Sequence, residues 1–184
     1  MSLTPSNMLP LGTQAPNFNL PDVISNKSLN LQDLKGLNAT VIMFICNHCP
    51  FVKHVNKQLA LLAKDYTSKG IKFIAISSND AENYPDDAPN YLKKQAISND
   101  FKFPYLYDQT QEIAEAYDAA CTPDFYIFDA DLKLNYRGQL DNSRPGNSIP
   151  VTGEDLRHAL DCILETKENT KTQKPSIGCN IKWK

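Results

Sequence analysis

The chain has 184 residues, 41% of them hydrophobic and 22% charged, which suits a single globular unit and excludes a disordered chain. A net charge of -2 without a long basic run argues against nucleic-acid binding, and no apolar stretch approaches the length of a membrane span. Residues 1–11 hold neither a basic nor an apolar signal region, so no secretory leader is expected and the cytoplasm is the default location.

In chain order, residues 12–34 are turn-rich, with Pro16, Pro21 and Asn26, and two short strands at 17–20 and 28–31 suggest a hairpin. Residues 40–45 are apolar and β-branched, a buried strand. The period then changes. Phe51, Val52, Val55, Leu59, Leu62 and Tyr66 recur at spacings of a helical face, which predicts a helix over 50–66 that stops at Lys69-Gly70. A strand over 71–77, a polar loop over 79–90, a short helix over 90–98 and a strand over 103–107 follow. Asp108 and Gln111 resemble a capping box for a helix over 109–119. A strand over 124–128 turns at Asp129-Ala130-Asp131 into a second one over 132–138, and Thr152 with Asp155 marks the start of a helix over 153–166.

Strands alternating with helices, then an antiparallel pair and a last helix, imply an α/β fold with one mixed sheet covered on both faces. The expected organisation is an N-terminal extension over 1–11, a domain over 12–166, and a linker and tail over 167–184. The tail, apolar and holding the only Trp, is expected to dock on the domain.

Chemistry concentrates where the first long strand meets its helix, in Cys46-Asn47-His48-Cys49-Pro50. Pro50 suits the first helical position, where its missing N–H is no loss, and that makes Cys49 the N-cap. The helix dipole there favours a thiolate, so Cys49 is expected to have a lowered pKa and to be the nucleophile. Cys46 is the nearby second thiol and the preferred resolving partner. His48 would stabilise the thiolate or move a proton, or would join Cys46 and Cys49 in a metal site. Lys53, in the first turns of the helix, would lend positive potential or simply be solvated. The remaining cysteines are Cys121, Cys162 and Cys179, and an odd count without a leader argues against a structural disulfide framework. Cys162, beside Leu160 and Ile163, reads as core; Cys179 is either a resolving thiol folded over the site or an anchor for the tail. Arg144, in a polar loop, carries no evident role.

Three segments carry a family resemblance. Phe44 is followed five positions later by Cys49, Cys121-Thr122-Pro123-Asp124-Phe125 stands before a strand, and Leu11-Gly12-x-x-Ala15-Pro16-x-Phe18 opens the domain. Together with the tail Pro-Ser-Ile-Gly-Cys-Asn-Ile-Lys-Trp they resemble thioredoxin-fold redoxins of the peroxiredoxin-like, AhpC/TSA type, over roughly residues 10–184. The resemblance implies a thioredoxin-like fold, Cys49 as nucleophile, and a cis Thr122–Pro123 bond whose loop faces it. Pro123 would shape a docking groove and leave a backbone edge open for an extended substrate, and Cys121 would lie near enough to face Cys49. The pattern also departs from the family. The second position of a thioredoxin Cys-x-x-Cys is Val52, the buried acid is replaced by Met43, and the peroxiredoxin Thr and Arg positions fall at Cys46 and at Thr122 or Pro123.

The expected function is therefore thiol-disulfide exchange with a dithiol or disulfide protein or a small-thiol reductant, without a dissociable cofactor, nucleic acid or membrane. A thiol peroxidase passing through a sulfenic acid at Cys49 is the alternative, and a metal-binding or redox-sensing module a second one.

Overall fold

The six residues Ala39–Phe44 form a strand (β4) in which every side chain is buried, and the structure, a computed structural model that describes residues 3–184, is organised around it. Preceding it are β1 (Leu3–Pro5), β2 (Asn19–Pro21), β3 (Ser28–Asn30) and the short helix α1 (Leu31–Leu34). After it come α2 (Pro50–Tyr66), β5 (Ile71–Ser77), α3 (Pro89–Ser98), β6 (Tyr105–Tyr107) and α4 (Glu112–Ala116). The chain finishes with β7 (Cys121–Thr122), β8 (Asp124–Asp129), β9 (Leu134–Gly138), α5 (Glu154–Leu164) and β10 (Ile177–Asn180).

The main sheet runs β6-β5-β4-β8-β9, with β4, β5 and β6 parallel and β8 and β9 antiparallel to their neighbours. It is buried on both faces. Alternation along β4 sends Val41 and Met43 to one face, where Leu59 and Leu62 of α2, Leu92 of α3 and Leu160 of α5 cover them. Ile42 and Phe44 face the other side, against Leu31, Ala114 and Tyr117. The sheet is therefore mixed and two-sided, as the order of elements predicts, and the neighbouring folds described below identify it as thioredoxin-like.

Helix α2 and strand β5 match their sequence expectations in extent, and β2 with β3 forms the expected hairpin. Three caps differ. Helix α4 is shorter than the pattern over 109–119: Gln111, at φ 69°, sits at its N-cap with its amide turned to the carbonyls of Ser78 and Lys182, while Asp108 accepts from the Ala114 amide. Helix α5 starts on a remote carbonyl in place of a local Thr152 box: the first-turn amides of Asp155 and Leu156 donate to Leu140 O, while Asp141 Oδ2 holds the preceding turn by accepting from the amides of Thr152 and Gly153. Helix α1, unforeseen in the turn-rich stretch, starts on the Asn30 side chain, which accepts from Asp33 N at 3.0 Å. Arg144 braces its own loop through Gln139 and the carbonyls of Asp141 and Ser143.

A second, three-stranded sheet, β1-β10-β7, seats the tail. Ser6 ties it down: its hydroxyl donates to buried Asp124 at 2.7 Å and accepts from Ser176 N at 2.9 Å. Burial holds the Asp124 carboxyl up at about 7, against the hydrogen bonds from Ser6 and Tyr126. Ser6→Ala strands two buried polar partners, and denaturant unfolding should show a loss of about 1–2 kcal/mol.

Candidate active site

Strand β4 delivers the chain to the site and α2 carries it away. The Ile45 amide still bonds to Ile76 O at 3.0 Å, after which residues 46–49 bend across the end of the sheet. Cys49 is the N-cap of α2, with extended ψ of 124°, and Pro50 occupies the first helical position. The Cys46, Cys49, Cys121 and Cys179 side chains are all fully buried or nearly so, and none is in a disulfide.

The Thr122–Pro123 bond is cis. It turns Thr122 toward the cysteines: its carbonyl oxygen lies 3.3 Å from Cys49 Sγ, and its hydroxyl lies 3.3 Å from Cys46 Sγ. The Cys179 sulfur approaches Cys49 Sγ to 2.7 Å. Cys49 is held down at about 5: the Cys46 thiol donates to its sulfur, burial opposes, and the Cys179 thiol and the amide of Val52 favour the anion. Burial pushes Cys46 well above the ordinary thiol range, aided by the neighbouring Cys49. Burial and the Cys49 contact likewise push Cys179 up to about 12. The site thus gathers three thiols of which Cys49 is much the most acidic.

Beside them lies a carboxylate that sequence reasoning missed. Asp87 sits in a 3-10 turn (Pro85–Asp87) of the polar loop and is fully buried. Its Oδ1 accepts from the amides of Asn47 at 2.8 Å and His48 at 3.0 Å; its Oδ2 accepts from Asn79 at 2.8 Å and pairs with His48 Nδ1 at 2.5 Å. The Asp87 hydrogen bond raises the His48 pKa against burial; for Asp87, burial acts upward but the bonds from His48 and Asn79 outweigh it and hold the carboxyl below its ordinary range. Both shifts favour the charged forms of the pair, and the His48 ring stacks on Tyr84 with centroids 5.8 Å apart. Asp87 fixes the backbone of the cysteine loop from outside it. Gln95 of α3 does so from beneath, donating to Cys46 O at 3.1 Å and accepting from Tyr105.

Of the residues singled out in the sequence, Cys46, His48, Cys49, Thr122, Pro123 and Cys179 lie together at this end of the sheet. Cys121 turns its sulfur toward Pro123 O at 3.7 Å rather than toward Cys49, and burial raises its pKa far above the ordinary value. Cys162 lies on α5 in contact with His158, and Lys53 is exposed. The ligating group among the described residues is Cys46, His48 and Asp87, not Cys46, His48 and Cys49. Both Asp87 oxygens are fully engaged by protein donors, so no orphaned acceptor there calls for a cation. The edge of β7 is not open to an extended substrate: β10 pairs with it, Cys179 opposite Thr122 and Asn180 opposite Cys121. Nothing in the sequence marks Asp87 or this pairing, since both depend on contacts between distant segments.

A buried cysteine of lowered pKa at the start of a helix, faced by a cis-proline loop at the end of a mixed sheet, defines a thioredoxin-fold redoxin site. Residues 11–137 match the AhpC/TSA family, and the chain belongs to it. It is similar to the structure of an uncharacterized conserved protein from Geobacillus kaustophilus, with 63% identity over 100% of this chain and 97% of that one and a TM-score of 0.98. It is 25% identical over 123 residues to thiol-disulfide oxidoreductase ResA of Bacillus subtilis (strain 168), a match covering 67% of this chain and 64% of that relative's length. The fold is shared with a thioredoxin-family thiol:disulfide interchange protein from Chlorobium tepidum TLS, at 18% identity over 83% and 97% of the two chains and a TM-score of 0.64. No helix among the described residues is long and apolar enough to cross a membrane.

Proposed function

We propose that this protein is a thiol-disulfide oxidoreductase in which Cys49 is the attacking thiolate and Cys179 the resolving thiol. The observation that carries this reading is the approach of the two sulfurs to 2.7 Å, with one depressed to about 5 and the other raised to about 12. Cys49 S⁻ attacks one sulfur of a partner disulfide, forming a mixed disulfide and releasing the other partner sulfur as a thiolate. The Cys179 thiol then gives up its proton and attacks the Cys49 sulfur. The Cys49–Cys179 bond forms, the second partner thiol leaves, and two electrons have passed from the protein dithiol to the partner. A dithiol protein or a small thiol reverses the sequence and restores the reduced protein.

In this assignment Cys46 stays protonated and serves as a donor to the thiolate, which revises its expected role as resolver. His48 and Asp87 hold the loop that presents Cys49. The peroxidase alternative gains less support. The groups that donate to Cys49 are thiols and backbone amides, none of which is a cation able to polarise an O–O bond.

Mild diamide oxidation followed by peptide mapping tests the reading. A Cys49–Cys179 linkage is expected. In Cys179→Ser the mixed disulfide with hydroxyethyl disulfide should persist at least about tenfold longer than in the parent protein. A Cys46–Cys49 linkage would transfer the resolving role to Cys46. A Cys49 that stays inert toward disulfides yet consumes hydrogen peroxide would favour the antioxidant reading.

A further inference from the structure

We infer that strand β10 is the specificity determinant of Cys49. It fills the place a polypeptide substrate would take and reserves the thiolate for low-molecular-weight disulfides. This rests on the proposed disulfide exchange at Cys49.

Three observations carry it. First, the pairing of β10 with β7 uses the one backbone edge next to the thiolate. Cys179 stands opposite Thr122, whose carbonyl touches Cys49, so the tail holds its own cysteine where an incoming strand would place one. Second, the tail is seated on both sides and along its length. β1 covers its other edge, and Ile181 N bonds to Ala120 O. Beyond it, Lys182 N donates to Asn79 Oδ1, Lys182 O accepts from Asp80 N, and Lys184 N donates to Gln111 Oε1. Third, the seat is shaped for this segment. Gly178 packs so closely on the cis-proline loop that a Cβ would run into the Thr122 carbonyl group and lie 3.1 Å from Pro123 N.

An extended peptide disulfide therefore cannot pair with β7 while β10 is in place. A small disulfide needs no backbone edge and reaches the sulfur through a local opening of the cover. The chemistry is the same for both. A Cys49–sulfur bond forms, the reactant's disulfide breaks, and its other half leaves as a thiolate.

The test compares two reactants on the reduced full-length protein. One is hydroxyethyl disulfide. The other is the disulfide dimer of an octapeptide containing Ser-Ile-Gly-Cys-Asn-Ile, the tail's own sequence. Formation of the Cys49 mixed disulfide is followed by acid quench and mass measurement. The parent protein should favour the small disulfide, and Gly178→Ala, which drives β10 from its seat, should raise the peptide-to-small rate ratio at least about tenfold. Loss of hydrogen-exchange protection at residues 178–181 reports the release. Should Gly178→Ala fail to fold by circular dichroism, Gln111→Ala, which removes the bonds to Lys182 and Lys184, should move the ratio the same way by about threefold. A parent protein that prefers the peptide, or a released β10 with an unchanged ratio, overturns the inference. Absence of reaction with either disulfide would instead defeat the exchange function itself.

Discussion

Cys49→Ser should reduce disulfide exchange by roughly three orders of magnitude or more while leaving the far-ultraviolet circular dichroism unchanged. A hydroxyl has neither the thiolate's nucleophilicity nor its accessible anion, and no other cysteine here is poised to substitute: Cys46, Cys121 and Cys179 are all held protonated. The matching signature is the pH profile of iodoacetamide modification at Cys49. Its midpoint should fall near 5, set first by the Cys46 donor. Cys46→Ala should move that midpoint upward, whereas Cys162→Ala, distant on α5, should not. Stability follows with a definite sign. A group whose pKa falls on folding adds stability as pH rises above its folded value, and that gain is complete above the unfolded thiol's pKa. The parent protein should therefore gain on Cys49→Ser between about pH 5 and about pH 8.5 and lose the advantage as pH falls through 5. A midpoint near the ordinary thiol value would end the assignment of Cys49 as nucleophile.

Asp87→Asn should cost about 2–4 kcal/mol in urea unfolding, because it opposes two donors across a fully buried contact. The new amide can keep the bonds from the Asn47 and His48 backbones with its oxygen, but its nitrogen then faces Asn79 Nδ2 and His48 Nδ1. The penalty depends on pH. The raised His48 pKa contributes stability that is fully present below about 6.5 and lost as pH rises through the folded value. The lowered Asp87 pKa contributes stability that is present above about 3.9 and lost as pH falls through its folded value. The difference between parent and variant should accordingly be largest between about pH 4 and 6.5 and narrow toward pH 9. A constant difference across that range would mean that His48 is not paired as an imidazolium. Exchange activity should fall as well, since the same carboxylate holds the backbone of the loop that carries Cys49.

Local signals in the sequence reach a long way into this fold. The change from an apolar run to a helical period defines β4 and α2, and Pro50 places Cys49 at the N-cap. The Thr-Pro before β8 locates the cis bond through the family resemblance. What stays hidden is whatever joins distant segments. Asp87 stands among polar residues 39 positions from His48, and no pattern of charge or hydropathy separates it from exposed Asp86 beside it. The caps of α4 and α5 are legible only in part: Asp108 does accept from the first turn of α4, but at Ala114 and without a reciprocal bond from Gln111, and α5 starts on the remote Leu140 carbonyl in place of Thr152. The tail's apolar character indicates that it docks, but not that its pairing brings Cys179 to Cys49.

The small sheet of β1, β10 and β7 has a consequence for how the chain acquires its chemistry. Ser6 and Ser176 meet across 170 residues of sequence. Contacts of that separation carry the largest loop-closure entropy and form late in folding. Until they form, Cys49 lacks the donation from Cys179 that helps to hold its proton off, and its acidity lies closer to that of a free thiol, about 8.5. A partly folded chain with five cysteines therefore keeps them mostly protonated near neutral pH and is slow to scramble with its neighbours. The acidity of Cys49 is completed by this last closure, which adds the contact with Cys179 to the one that nearby Cys46 already supplies.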